Sequence, residues 1–272
     1  MRSTVERLLV RTWNIFHGNT KPRGRKAYSE ELVRLAVADA PDVLCLQELS
    51  VWSLVHLTEW SGMSAVTDVA RRPLPLPGDL ARTLGELDSR LFRSAVTGQA
   101  NAVLLAPELT VVEHRRAVLN PFRFRRAQAR KLGLSLADRI YWAKERRVCQ
   151  VLRIRRRDRT LVVANLHATG HRLDKRIPDA ELLRAAVFVD GFALPGEPVL
   201  LCGDFNLTLR NSRTLPDLMT AEWGFSGATP TGIDHILARG LAAGPPQVWP
   251  VQRRIRGGRV LSDHAPVDRE VE

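Results

Sequence analysis

Short apolar segments of strand length constrain the fold of this chain more than any other feature of its sequence. Several are apolar at almost every position, and Gly, Pro or charged residues bound each of them. A strand with two apolar faces must be covered on both sides, which is typical of two packed sheets. The segments that fit are LLVRTWN, DVLCLQE, NAVLLAP, LTVVEH, RVCQVLRI, TLVVANLH and PVLLCGD.

Helical patterns alternate with these strands. SEELVRLAVADA separates the first two strands, with Ser29 suited to the helix start and Pro41 to its end. This crossover places the ends of both strands at one edge of a sheet. Two further helices are predicted, DLARTLGELDSRLF after the proline-rich loop 71–79, and ELLRAAVFVDGF. We expect an α/β fold, with packed sheets covered by helices in a single domain over residues 1–272.

Composition limits the location and chemistry of the chain. Of its 272 residues, 44% are hydrophobic, which is enough for a sizeable core. It shows neither an apolar run of membrane-spanning length nor a secretory signal, so we expect a soluble, cytoplasmic protein. Cys45, Cys149 and Cys202 each lie in an apolar segment without zinc-site spacing, which predicts buried free thiols.

Positive charge is concentrated in one part of the chain. The net charge is +12, and the segment 115–159 holds sixteen Lys or Arg against three acids. This segment favours an anionic partner, either nucleic acid or an acidic membrane surface, although a general preference for arginine would also produce it. We expect the run Arg155 to Arg157 to contribute to substrate binding. The aromatic residues within the segment fit base stacking or core packing; they are Phe122, Phe124, Tyr141 and Trp142.

Six short segments each end an apolar run with polar residues. A polar group at a strand end lies on a rigid scaffold near water, where it can line a cleft. Each segment alone fits an ordinary turn, cap or strand end, but six in one chain favour a site. They are WNIFHG (13–18), LQE (46–48), NLHATG (165–170), GDFN (203–206), GIDHIL (232–237) and SDHAP (262–266).

The polar residue types favour phosphate ester hydrolysis with a hard divalent cation. Glu48, Asp204 and Asp263 offer carboxylate oxygens, and Asn14 and Asn206 add neutral amides, a set that suits Mg²⁺ or Mn²⁺ better than zinc. In an extended GDFN segment, Asp204 and Asn206 would point to one side and act on the same water or phosphate oxygen.

A histidine and a carboxylate complete the predicted chemistry. Asp234 of GIDHIL is placed to hold His264 of SDHAP in one tautomer, and a histidine oriented in this way is a common general base or proton shuttle. The other histidines are expected elsewhere. His235 should pack or meet solvent, His171 should lie in a loop, and His17 should be a bystander or contact phosphate.

In this order, the six segments resemble the endonuclease/exonuclease/phosphatase superfamily, which includes pancreatic-type deoxyribonucleases, apurinic/apyrimidinic endonucleases, neutral sphingomyelinases and inositol polyphosphate 5-phosphatases. The resemblance spans residues 13 to 266. It implies a four-layered α/β/β/α sandwich, with two packed mixed β-sheets flanked by helices. It also implies magnesium dependence and in-line attack of water on phosphorus.

The resemblance also assigns roles by matching position. Glu48 would be the principal metal ligand, with Asn14 and Asp263 near the metal. Asp204 and Asn206 would position the water and a phosphate oxygen, His167 would contact the scissile phosphate, and Asp234 would pair with His264. Three residues are implied substrate contacts: Asn101, in a strand similar to the family's Asn-containing strand, and Arg146 or Arg147.

One departure from the family leaves the number of metal ions open. Some members carry Asp two residues after the first Asn, where this chain has Phe16. Shared motifs also leave the substrate open. The basic segment favours a nucleic-acid phosphodiester; the alternatives are a sphingomyelinase-like lipid phosphodiesterase, a phosphoinositide phosphatase, and a catalytically silent nucleic-acid-binding module.

Overall fold

Two mixed β-sheets pack face to face in the computed structural model, which describes residues 7–24, 27–72, 98–171 and 174–272. The first sheet has the strand order β11-β14-β1-β3-β5-β4, the second β10-β9-β8-β7-β6, and a small third sheet β12-β13-β2. The strands are β1 (Leu8–Asn14), β2 (Thr20–Lys21), β3 (Val43–Leu49), β4 (Ser64–Arg71), β5 (Gln99–Leu105), β6 (Thr110–Val118), β7 (Val148–Arg156), β8 (Arg159–His167), β9 (Val199–Asp204), β10 (Asp234–Arg239), β11 (Gln247–Val248), β12 (Ile255–Arg256), β13 (Arg259–Leu261) and β14 (Val267–Val271).

Helices cover the outer face of each large sheet. They are α1 (Ser29–Ala36), α2 (Leu57–Ser61), α3 (Phe122–Lys131), α4 (Leu136–Lys144), α5 (Arg176–Asp190) and α6 (Thr214–Leu218). Helix α1 packs Leu32 and Val33 on the first sheet, whereas α5 packs Leu182 and Val189 on the second. The predicted α/β/β/α sandwich is thereby confirmed. The helix predicted for DLARTLGELDSRLF lies outside the described residues, as does most of the loop 71–79.

The core between the sheets explains the runs that are apolar at every position. Val43 and Cys45 of β3 face Leu200 and Cys202 of β9 in this core, while the alternate residues Leu44 and Leu201 face the helices. All three cysteines are free and buried, as predicted. None of the helices in the described ranges is long and apolar enough to cross a membrane.

Strand direction brings the six polar segments to one end of the sandwich. β1 runs parallel to β3, and β8 runs parallel to β9, so Asn14, Glu48, His167 and Asp204 all lie at carboxyl ends of strands. The antiparallel strands β5, β10 and β14 begin at this same end. The segment before β14 carries SDHAP. A single edge of the fold therefore collects side chains from residues far apart in sequence.

Candidate active site

The centre of this edge is a buried contact between the two sheets. Asn14 Nδ2 of the first sheet donates to Asp204 Oδ2 of the second at 3.0 Å. The Asn14 side chain also lies close enough to the Glu48 carboxylate to lower its pKa against the effect of burial. Glu48 has a φ of 54°, beside the register shift between Leu46 and Leu49 of β3. This left-handed backbone turns its carboxylate out of the strand alternation toward the cleft.

His264 and Asp234 form a hydrogen-bonded pair on one side of this centre. Asp234 Oδ2 lies 2.8 Å from His264 Nδ1, and His264 Nε2 lies 3.9 Å from Asp204 Oδ2. The carboxylates of Asp234, Asp204 and Glu48 raise the pKa of His264 well above its ordinary value against the opposing effect of burial. Without a bound cation, His264 is therefore an imidazolium near neutral pH.

The loop that carries His264 is held by groups behind it. Arg254 Nη1 donates to three backbone carbonyls, those of Leu261, Ser262 and His264, at 3.0, 3.2 and 2.8 Å. Trp13 Nε1 donates to the His264 carbonyl at 3.0 Å. Ser262, at a φ of 59°, donates through its hydroxyl to the Asn14 carbonyl at 2.6 Å. These contacts fix the loop against the end of β1.

Asp204 and Asn206 lie close together, but not by the extended geometry that the sequence predicts. β9 ends at Asp204, and Asn206 has a φ of 54°. Asp204 Oδ1 accepts from the Asn206 backbone N–H at 2.9 Å, and Asn206 Nδ2 donates to the Ala168 carbonyl at 3.0 Å. A short Asx-type turn therefore replaces the two-residue strand alternation.

His167 lies opposite His264 and also faces the central carboxylates. Its Nε2 is 3.4 Å from Asp204 Oδ2 and 3.5 Å from Glu48 Oε1. Arg147 Nη1 and Gln99 Nε2 both lie 2.9 Å from Nδ1. Arg147 Nη1 also lies 3.0 Å from Nε2, so the tautomer is assigned on Gln99, whose amide donates to Nδ1 and leaves the proton on Nε2. Burial and Arg147 hold the pKa of His167 well below its ordinary value, so the ring is neutral.

The remaining predicted substrate contacts are not all at this centre. Arg147 is buried, reaches His167 and pairs with Glu145 at 2.6 Å, whereas Arg146 is exposed. Asn101 lies one strand repeat inside β5, where it donates to the Val148 carbonyl at 3.4 Å. Asp263, which was predicted near the metal, lies on the loop before His264 with its side chain 26% exposed and Lys21 Nζ at 3.6 Å.

Sequence reasoning missed several residues that complete the site. Gln99 occupies the position at the cleft end of β5 that was expected of Asn101, and its place at the first residue of the strand is a usable signal. Arg254 lies outside every motif, so no local pattern indicates its role. Glu181 is fully buried and accepts from Thr169 N, at 2.6 Å, and from Trp142 Nε1, also at 2.6 Å.

His235 and His171 lie where the sequence predicts them, and His17 borders the cleft. His235 is fully buried between the Thr229 N–H and the Leu207 carbonyl. His171 lies in a loop and pairs with Asp138 at 3.2 Å. His17 is buried, with Nε2 at 3.7 Å from Glu48 Oε2, so it borders the cleft.

The electrostatics of the centre suit a bound cation. Burial raises the pKa of Glu48 to about 7 and that of Asp204 to about 6, so their charged forms are unfavourable without a counter-ion. Ligand atoms of Asp204, Asp234 and His264 all lie within 4.8 Å of one another. Asp234 Oδ1 is also buried without a hydrogen-bond partner among the described residues. Such hard oxygen donors fit Mg²⁺ or Mn²⁺.

Comparisons with known proteins agree with this geometry. The model of the Endonuclease/Exonuclease/phosphatase family matches residues 12–264. None of the curated proteins matches the chain.

Similar solved structures extend over almost the whole chain. A family protein from Bacteroides vulgatus is 13% identical, with a TM-score of 0.67 over 98% of this chain and 99% of its own. One from Bacteroides thetaiotaomicron is 14% identical, with a TM-score of 0.65 over 98% and 97%. Truncated TDP2 of Caenorhabditis elegans is 17% identical, with a TM-score of 0.62 over 97% of each chain. At such identities these likenesses show the fold, and together with the family match they establish that this chain belongs to the endonuclease/exonuclease/phosphatase family.

Proposed function

We propose that this chain is a Mg²⁺-dependent phosphodiesterase that cleaves nucleic acid by in-line attack of water on phosphorus. One observation carries the proposal: Asn14, Glu48, Asp204, Asp234 and His264 converge at the sheet edge from five separate segments. A purely cationic binding surface has no use for three carboxylates in this position. The catalytically silent alternative is therefore disfavoured.

The cation is best placed on the Glu48 side of the cleft. His264 engages only one oxygen of Asp234, whereas the Glu48 carboxylate borders the cleft beside Asn14 and Asp263 lies on the adjoining loop. Bound Mg²⁺, or Mn²⁺ in its place, would polarise the phosphoryl group and neutralise its charge.

The protein side chains divide the remaining work. Asp204, held between Asn14 and the Asn206 backbone, is placed to orient the attacking water and accept its proton. Asn206 lies beside it to hold the water or a phosphate oxygen. His264, oriented by Asp234, is placed to stabilise negative charge on phosphorus as it develops or to serve as the general base or proton shuttle predicted from the sequence.

His167 and Arg147 are proposed to bind the scissile phosphate. The His167 Nε2–H points toward the central carboxylates, where a phosphate oxygen would accept it. Arg147 adds a positive charge behind His167.

Free buried thiols are typical of reducing compartments, which supports a cytoplasmic location.

Plasmid cleavage provides the direct test. The purified protein should nick or linearise plasmid DNA or cleave RNA in Mg²⁺, EDTA should stop the reaction, and excess Mg²⁺ should restore it. Asp204→Asn, verified as folded by circular dichroism, excludes a contaminating nuclease. Metal-replete protein that hydrolyses neither nucleic acid would contradict the proposal. Phosphocholine release from vesicles, or phosphate release from inositol phosphates, would assign a different ester instead.

A further inference from the structure

A groove separate from the catalytic centre lies between the helices α3 and α4. Its volume is about 480 Å³, and its walls carry apolar or cationic side chains without a carboxylate among them. On α3 the lining positions recur at helical spacing, so one face of this helix forms one wall. The lining residues are Phe122, Arg125, Arg126, Ala129, Arg130, Arg139, Trp142 and Ala143.

The arginines of this groove lack acidic partners within the described part of the chain. Arg125, Arg126 and Arg130 form no ion pair there, and Arg125 Nε is buried without a hydrogen-bond partner. The two acids nearby in sequence are engaged elsewhere, since Asp138 pairs with His171 and Glu145 with Arg147. The groove therefore has a positive charge that the described residues leave uncompensated.

Aromatic residues give the groove a second property. The Trp142 ring forms its floor, packed edge-on against Phe124 at 6.0 Å between ring centroids. Phe122 at its rim is 67% exposed. Core packing thus accounts for Phe124 and Trp142, whereas Phe122 presents an uncovered ring beside guanidinium groups.

The groove is connected to the active site by direct contacts. Helix α4 leads through Glu145 to Arg147, which contacts His167. Tyr141 of α4 donates through its hydroxyl to the Gly170 carbonyl at 2.7 Å. Gly170 adjoins Asn206, because a Cβ at Gly170 would lie 3.1 Å from Asn206 Oδ1. The groove-lining Trp142 is linked to the same segment, because Glu181 accepts from both Trp142 Nε1 and Thr169 N.

We propose that the α3–α4 groove binds a single nucleic-acid strand adjoining the scissile phosphodiester, an inference that rests on the proposed function. Arginines in a groove neutralise successive phosphates, and an exposed aromatic ring stacks on any base. A carboxylate-free lining excludes a basic peptide by charge. The contacts of α4 with Gly170 and, through Glu181, with Thr169 place the groove beside the segment that follows His167, which favours the substrate strand over an anionic membrane surface.

The second half of the basic segment 115–159, which includes Arg155 to Arg157, lies away from the groove. β7 begins next to Arg147 and runs away from the cleft, which places Arg155 about 25 Å from its start. The run Arg155 to Arg157 therefore lies far from the cleft, and its contribution to substrate binding stays a prediction. This region supplies a matched control, because Arg155 and Arg159 are exposed arginines of the same sequence segment at the opposite end of the sheet.

The test compares Arg126→Glu/Arg130→Glu with Arg155→Glu/Arg159→Glu, two double variants with an equal change in charge. Binding of a fluorescent oligothymidylate is measured by anisotropy across a salt series, in Ca²⁺ to suppress cleavage. The groove variant should bind at least about tenfold more weakly, and its slope of log K against log salt should fall by about 1.4 for the loss of two phosphate contacts. The control should bind as the wild type does.

A second measurement separates this inference from the proposed function. Hydrolysis of bis(p-nitrophenyl) phosphate, which has no adjoining strand, should proceed at equal kcat/KM in the wild type and both folded variants. Equal weakening of oligonucleotide binding by the two variants would overturn the groove assignment, as would unchanged binding in the groove variant with lost binding to anionic phosphatidylserine vesicles. Oligonucleotide binding through the groove without hydrolysis of any nucleic acid would instead overturn the proposed function alone.

Discussion

Two of the histidine–carboxylate pairs among the described residues have similar geometry in very different surroundings. In the cleft, His264 Nδ1 lies 2.8 Å from Asp234 Oδ2. At the edge of the sandwich, His114 Nε2 of β6 lies 2.6 Å from Asp68 Oδ2 of β4. Each pair connects the two large sheets, although His264 lies on the loop before β14 and not in a strand. Distance alone does not distinguish a site from a structural contact.

The neighbours of each pair make the difference. Asp204 and Glu48 lie near His264 and add two further carboxylates, and Asn14 donates a hydrogen bond to Asp204. Beside Asp68 there is instead a cation, Arg116, at 3.6 Å. Excess negative charge remains in the cleft, whereas the charge of the edge pair is balanced. A catalytic site is thus recognised by the charge that the fold leaves uncompensated.

The largest expected difference between the pairs is in turnover. His264→Ala should lower kcat on nucleic acid by roughly 10² to 10⁴-fold, the range of a lost proton-transfer or charge-stabilising group. His114→Ala should leave kcat within about twofold, because the edge pair touches none of the cleft residues. Initial rates with Mg²⁺ measure both. Equal losses in two folded variants would mean that the edge pair shares in the chemistry.

Removal of an arginine, Arg147 behind His167 in the cleft or Arg116 beside the edge pair, should give the next largest effect. Arg147→Ala should lower kcat/KM by about 10 to 100-fold, since it removes the charge behind His167 and the proposed phosphate contact. The matched change Arg116→Ala should alter kcat/KM by less than about twofold. Arg147→Lys should recover only part of the loss, because an ammonium does not reproduce the guanidinium fork. Full activity of Arg147→Ala would remove this arginine from the site.

Removal of one carboxylate should affect stability with opposite signs at the two pairs. The pKa of Asp204 is raised to about 6, above its unfolded value, so its ionisation destabilises the metal-free fold as pH rises through this range. Asp204→Asn should therefore stabilise the metal-free protein by about 1 to 3 kcal/mol at pH 8, with the gain disappearing toward pH 4. Asp68→Asn should destabilise it by about 1 kcal/mol.

Urea unfolding in EDTA at pH 4 and pH 8 measures these differences. A gain for Asp204→Asn that is equal at both pH values would show that packing, and not charge, is responsible. Destabilisation at pH 8 would show that the buried Asp204 carboxylate is compensated in the metal-free fold after all.

The sequence predicts the sheets and the six strand-end segments well, because both depend on local patterns. The uninterrupted apolar run of VLCL requires cover on both faces, and the parallel crossover from β1 to β3 brings Asn14 and Glu48 to one edge whatever lies between them. The matching order of GDFN and SDHAP locates the remaining carboxylates. These inferences require only the direction of each strand. Hydrophobic periodicity and the length of each connection together indicate that direction.

Features that depend on long-range contacts or local backbone geometry could not be predicted in this way. The left-handed φ of Asn206 replaces an extended pair with a turn, and GDFN carries no glycine at that position to indicate it. Arg254 reaches the His264 loop from a segment without a motif. The basic segment is contiguous in sequence, but β7 carries its second half to the far end of the sheet. The number of charges in a segment does not indicate where each charge lies in the fold.

The smallest expected effect is the loss of stability when His114 of the edge pair is replaced by Gln. The same substitution at His264 shows how the cleft pair differs from it. His114→Gln keeps an amide donor for Asp68, and the His114 side chain is 32% exposed, so solvent screening limits the loss of stability to below about 1 kcal/mol in urea unfolding. His264→Gln also keeps a donor for Asp234, but it carries neither charge nor a transferable proton, so turnover should fall as far as in His264→Ala. Retention of turnover by His264→Gln would mean that the cleft histidine only holds Asp234 in place, as the edge histidine holds Asp68. The two pairs would then differ in their neighbouring charges but share the same structural role.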